Sequence, residues 1–63
     1  MSTFLFYERV DEGTRLVAKL EGTVFSGVQA EGIEKLLREE GWPDKSPVRI
    51  LTGSRLWAVE VQS

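Results

Sequence analysis

The run "TFLFYERV", Thr3 to Val10, is apolar on both sides of an extended strand: Phe4, Phe6 and Val10 alternate to one side, Leu5 and Tyr7 to the other. It ends at "DEGT", Asp11 to Thr14, a polar cluster whose Gly13 suits the left-handed position of a three-residue hairpin loop. With Asp11, Glu12 and Gly13 as that loop, Val10 faces Thr14, Phe6 faces Ala18 and Phe4 faces Leu20. The register gathers Phe4, Phe6, Leu16, Ala18 and Leu20 on a core side, and Arg15 to Glu21 alternates as a half-buried strand does.

From "SGVQAEGIEKLLREEGWP" onward the apolar period changes from two to about 3.6. Ser26 and Gln29 fit a capping box, and Ala30, Ile33, Leu36 and Leu37 form the buried stripe of a helix. Glu31 with Lys35 and Glu34 with Arg38 are i,i+4 pairs on its wet side. Gly32, which costs a helix about 1 kcal/mol relative to alanine, reads as a point of close packing on the sheet. Gly41 suits the left-handed position after the helix, Trp42 the hydrophobic contact back to Leu37, and Pro43 prevents continuation.

After Asp44 to Pro47 come "VRILT", "GS" and "RLWAVEVQ", a pattern that predicts a second hairpin through a Gly53-Ser54 turn. Thr52 opposite Arg55 sets Ile50 against Trp57 and Val48 against Val59. Those four and Val61 then form a second core side, while Arg49, Leu51, Leu56, Ala58 and Glu60 face away. The expected architecture is α+β, ββαββ: a four-stranded sheet with one helix packed on one face.

Composition narrows the function classes. The 63 residues, 41% hydrophobic and 29% charged, suit one small globular domain, residues 1–63, that buries only about 60% of its unfolded surface, so association would add stability. A net charge of -2 argues against a wholesale polyanion binder. Without cysteine or histidine the chain lacks a disulfide framework, the commonest transition-metal ligands, a cysteine nucleophile and the usual general base. The N-terminus shows no basic region followed by a long apolar core, and no run approaches 18 apolar residues, so the expected location is cytoplasmic, with no membrane partner.

The order of two hairpins joined through one helix resembles the β-grasp arrangement of the small immunoglobulin-binding domains and the ubiquitin-like folds. That resemblance implies first and last strands lying parallel at the centre of the sheet, with the second and third at its edges. A four-stranded antiparallel arrangement is the alternative. Ubiquitin-like modifiers and sulfur carriers end in Gly-Gly, whereas this sequence ends "VEVQS", which speaks against conjugation chemistry. Plant-type ferredoxins of the same fold carry four cluster cysteines, and this chain has none.

Candidate chemistry is sparse. Glu39, Glu40 and Asp44 offer oxygen ligands for a hard cation without the spacing of a cation loop, and read as a solvated helix end. "GVQAEG", Gly27 to Gly32, places glycines near a helix start without a phosphate-binding fingerprint. Neither pattern names a catalytic residue, a metal ligand or a cofactor. The side of the sheet turned from the helix is more informative. The expected register puts Leu5, Tyr7, Arg9, Arg15, Val17, Lys19, Glu21, Arg49, Leu51, Leu56, Ala58 and Glu60 there, bases around an apolar centre. Such a face suits a protein interface, with a copy of the chain or another protein. It also suits single-stranded nucleic acid, with Tyr7 stacking on a base and Arg9, Arg15, Lys19 and Arg49 on phosphates. Trp42, if it does not fold back on Leu37, is a further anchor, whereas Trp57 reads as core. The expectation is a non-enzymatic binding or regulatory module, self-associating as a homodimer through this face or an edge strand, with the nucleic-acid reading as its alternative.

Overall fold

Alternation in the first two runs produces β1 (Ser2–Val10) and β2 (Gly13–Glu21), and the chain turns once more into a short β3 (Val24–Ser26) before any helix begins. Helix α1 (Ala30–Glu39), a helical turn α2 (Pro47–Ile50) and β4 (Leu56–Gln62) follow. The computed structural model describes residues 2–51 and 55–62. It is an α+β fold, a four-stranded antiparallel sheet in the order β3-β2-β1-β4 with α1 on one face.

Phe6, Val17, Ala18, Leu20, Ile33, Leu37, Leu51 and Ala58 form the core between sheet and helices. Phe4, Phe25, Leu36, Trp42, Ile50 and Leu56 pack around it. The helical stripe is the expected one, and its end is a Schellman motif. The Trp42 amide donates to the Leu37 carbonyl at 2.8 Å and the Gly41 amide to that of Arg38 at 3.2 Å, with Gly41 at φ 105°. Trp42 folds back and meets Phe25 edge-on, with 5.3 Å between ring centroids.

The start of the helix differs from expectation. Ser26 ends β3, Gln29 is the N-cap residue, and no side-chain cap forms. The Gln29 amide instead donates to the Val17 carbonyl at 2.9 Å, and its side chain donates to Glu8 at 3.0 Å. These bonds tie the helix entrance to the sheet.

Between β1 and β2 the pairs Phe6–Ala18 and Phe4–Leu20 are those expected. Val10, however, pairs with Gly13 rather than Thr14, and the register shifts between Phe6 and Tyr7, leaving Val17 as the extra residue of a β-bulge. A two-residue turn plus one bulged residue has the same count as a three-residue loop. The lower pairs therefore stay in place, while residues between the turn and the bulge exchange faces. Val17 is 2% exposed in the core, and Leu16, expected inside, is 49% exposed.

The second expected hairpin is corrected. Residues Val48 to Leu51 do not form a strand: Pro47 to Ile50 are helical, and Pro47 holds the first-turn position that its missing amide favours. Pro47, Ile50 and Leu51 lie at i, i+3 and i+4, so the segment buries one helical side. The Gly53-Ser54 turn lies outside the described residues.

The order ββαββ thus becomes three strands, two helices and a strand. The first and last strands are neighbours, as the resemblance implies, but they run antiparallel, and β4 rather than β2 is an edge. The route explains the direction. Helix α1 starts beside Val17 and ends beside Phe25, after which the chain returns to the Arg9 end of β1, where the Arg9 amide donates to the Arg55 carbonyl at 3.0 Å. A strand that starts at the end of β1 must run back along it.

Candidate functional site

The pairing of β4 with β1 fixes which side chains face away from the helices. Tyr7 lies opposite Trp57, Leu5 opposite Val59 and Thr3 opposite Val61, whereas Phe6 lies opposite Ala58 and Glu8 opposite Leu56. The parity of β4 is therefore the reverse of the one expected from pairing with Val48 to Thr52. Leu56 and Ala58 turn toward the helices; Trp57, Val59 and Val61 turn away. Ala58, beside Phe6, belongs to the same core as Leu37 and Leu51.

The outer face is consequently more apolar than its sequence pattern indicated. Across its middle, Leu16, Tyr7 and Trp57 sit side by side on three adjacent strands. The neighbouring row is Lys19, Leu5 and Val59, and the next is Glu21, Thr3 and Val61. Val24 extends that last row onto β3. Tyr7 and Trp57 stack with centroids 5.9 Å apart and an interplanar angle of 20°. Such a pair contributes about 0.5–1.5 kcal/mol beyond the area it covers. Val24, Val59 and Val61 remain 67%, 42% and 43% exposed, and no described element of the chain lies over them.

Of the expected face residues, Leu5, Tyr7, Arg9, Lys19 and Glu21 keep their places. Arg15 is on the helix side through the bulge, 3.3 Å from the Glu8 carboxylate, which also accepts from Gln29. Val17 and Leu51 are buried core residues, and Leu56 packs against that core. Arg49 is exposed on α2, outside the strands of the sheet. Trp42 is half-buried on the helix side, with the Arg38 guanidinium 5.2 Å from its ring centre. Ala58 and Glu60 belong by alternation to the helix side.

The same bulge reduces the positive character of the face. Lys19 pairs with Glu21 at 3.0 Å, and Arg15 is directed to Glu8, so Arg9 is left as the basic residue of the β1 row. The residues that the sequence reading placed in the core, Leu16, Trp57, Val59 and Val61, are those that complete the apolar face. A signal for the change was present: Ser46-Pro47 is a cap followed by a first-turn proline, which marks a helix start and removes the partner strand that had set the parity.

Elsewhere, no group of three acidic residues capable of holding a metal ion occurs among the described residues, Glu39, Glu40 and Asp44 included. Gly27 has a packing role: at φ 119°, a β-carbon there would stand 2.7 Å from Ala18 Cα and 2.8 Å from the Val17 carbonyl oxygen. Gly32, by contrast, has nothing within 4 Å of where its β-carbon would be, so the close helix–sheet contact expected there belongs to Gly27. No described helix is long and apolar enough to cross a membrane. In comparisons with known proteins, the chain matches no family model, no curated protein and no solved structure.

Proposed function

We propose that this chain is a small non-enzymatic protein-interaction module that self-associates through the outer face of its sheet. The observation that carries the reading is the uncovered face itself: the Tyr7–Trp57 stack, with Leu5, Leu16, Val59 and Val61 around it. Contiguous exposed apolar area of this kind marks an interaction surface. A second copy is the occupant that its charge suits. Lys19 and Glu21 neutralise each other, and the remaining bases, Arg9 beside Arg55, lie at one end, so the apolar middle of the face has no strong field of one sign that would require an opposite partner. Size is also sufficient. Four strands about 4.8 Å apart and about seven residues long cover about 450 Å² in plan, and two such faces reach about 1,000 Å² with side-chain relief, the lower bound of a specific interface.

The loss of Arg15 and Lys19 as unpaired bases weighs against the nucleic-acid reading, which needs several cations along a backbone. Light scattering at micromolar concentration and two salt concentrations separates the readings. The expected result is a mass above one chain that salt leaves unchanged, and a twofold fall in mass for Tyr7→Asp with the circular dichroism spectrum retained. An unchanged mass for that variant overturns the face as the contact. A monomer that takes up single-stranded oligonucleotide, with affinity falling steeply as salt rises, transfers the function to the other class.

A further inference from the structure

The two edges of the sheet are protected very differently. One is β3, three residues long; the other is β4, seven residues, "LWAVEVQ", with one charge and no proline. Short, charged or proline-containing edges resist pairing with other chains, and a long apolar one invites it. We propose that β4 pairs antiparallel with β4 of a second copy about a two-fold axis at Val59, joining two sheets into one of eight strands. The inference adds a second contact to the face proposed above and rests on separate backbone groups.

Backbone phase supports the register. Arg9 donates to Arg55, which makes the odd-numbered β4 residues the ones hydrogen-bonded to β1. By alternation the amides and carbonyls of Ala58, Glu60 and Gln62 point to the open edge. Residues 59–62 are exposed, and β1 is the sole described strand paired with β4. A two-fold axis at Val59, the midpoint of β4, sets residues 57–61 of the two copies opposite one another. Ala58 of each copy then forms a hydrogen-bonded pair with Glu60 of the other, giving about four interchain backbone bonds from those two pairs.

The non-hydrogen-bonded positions, where opposed side chains come closest, are Val59 against Val59 and Trp57 against Val61. All three pairs are apolar and lie on the outer face. An axis at Glu60 would instead set two carboxylates directly opposite each other, and moving the axis away from the strand's midpoint shortens the ladder. Self-pairing therefore has one favoured register, and the apolar faces of both copies become continuous across the seam.

Two variants test the edge separately from the face. Glu60→Pro removes an outward amide while leaving the β1 ladder intact, and is expected to halve the solution mass with the thermal transition retained. Val59→Cys introduces the chain's first cysteine at the axis. In a Tyr7→Asp background, it is expected to form a disulfide-linked dimer on mild oxidation, while Val28→Cys, on a residue 91% exposed away from the edge, does not. Equal linking of the two cysteine variants, or no linking at Val59, overturns the edge contact whether or not Tyr7→Asp alone lowers the mass. Linking at Val59 with a mass insensitive to Tyr7→Asp leaves the edge standing and removes the face.

Discussion

The two sides of β1 carry nearly equivalent side chains into different surroundings. Phe4 and Phe6 enter a core closed by Leu20, Ile33, Leu37 and Leu51, and Phe6 is fully buried; Leu5 and Tyr7, one residue away, reach a surface on which the cover is partial. What differs is the supply of helix. One ten-residue helix and one helical turn suffice for one face of a four-stranded sheet, and both lie on the same side. An apolar central strand with helix on one side only thus divides the molecule: one side is closed within the chain, and the other, where we propose the contact, keeps partial cover.

The largest expected effect tests that division. Phe6→Ala removes a fully buried aromatic and is expected to destabilise the fold by about 3–5 kcal/mol, a large part of the stability of a domain this small. Tyr7→Ala, measured at concentrations where the chain is monomeric, is expected to cost less than half as much, because the ring is already partly in water. Urea titration of the two variants makes the comparison. Equal losses would mean that the outer face is as structural as the inner one.

The covered side also depends on how closely the helix entrance can approach the sheet. Gly27 lies against Ala18 and the Val17 carbonyl, at a positive φ that side chains with a β-carbon disfavour. Gly27→Ala is expected to cost about 1–3 kcal/mol through strain and displacement of the bulge. Protection of the Gln29 amide against hydrogen exchange should fall with it, since its acceptor is the Val17 carbonyl. An unaltered Gln29 amide would show that the bulge and the helix entrance are not coupled.

Much of the inner side was legible in the sequence because its signals are local or redundant. The i, i+3, i+4 spacing of Ile33, Leu36 and Leu37, the Gly41-Trp42-Pro43 stop, and the Phe4–Leu20 and Phe6–Ala18 pairs are all present. The outer side was legible along β1 and at Lys19 and Glu21, but not at Leu16 or along β4, for two reasons. Turn length and a bulge trade against one another without changing the pairs beyond them, yet the bulge reverses Leu16 and Val17. A segment as short as Val48 to Leu51, three apolar residues and one arginine, fits a strand or a helical turn equally well, and Ser46-Pro47 decided for the turn, which released β4 to take its parity from β1. A period of two carries no information about which side is in, so a single such slip moves Trp57, Val59 and Val61 together.

The smallest expected effect concerns the far surface of the helix. Gly32 faces open space in an ordinary helical conformation, so its cost is that of glycine's backbone freedom, without a packing gain to offset it. Gly32→Ala is therefore expected to stabilise the fold by up to about 1 kcal/mol, a rise of about 4–8 °C in Tm for a domain of this size, with solution mass unchanged. The sign and the mass together sharpen the contrast between the two sides. A stabilised variant of unaltered mass places the helix surface outside the contact. A variant that gains no stability but loses mass would mean that the exposed face of α1 meets a partner at close range, and the division drawn across β1 would then have to be redrawn across the helix.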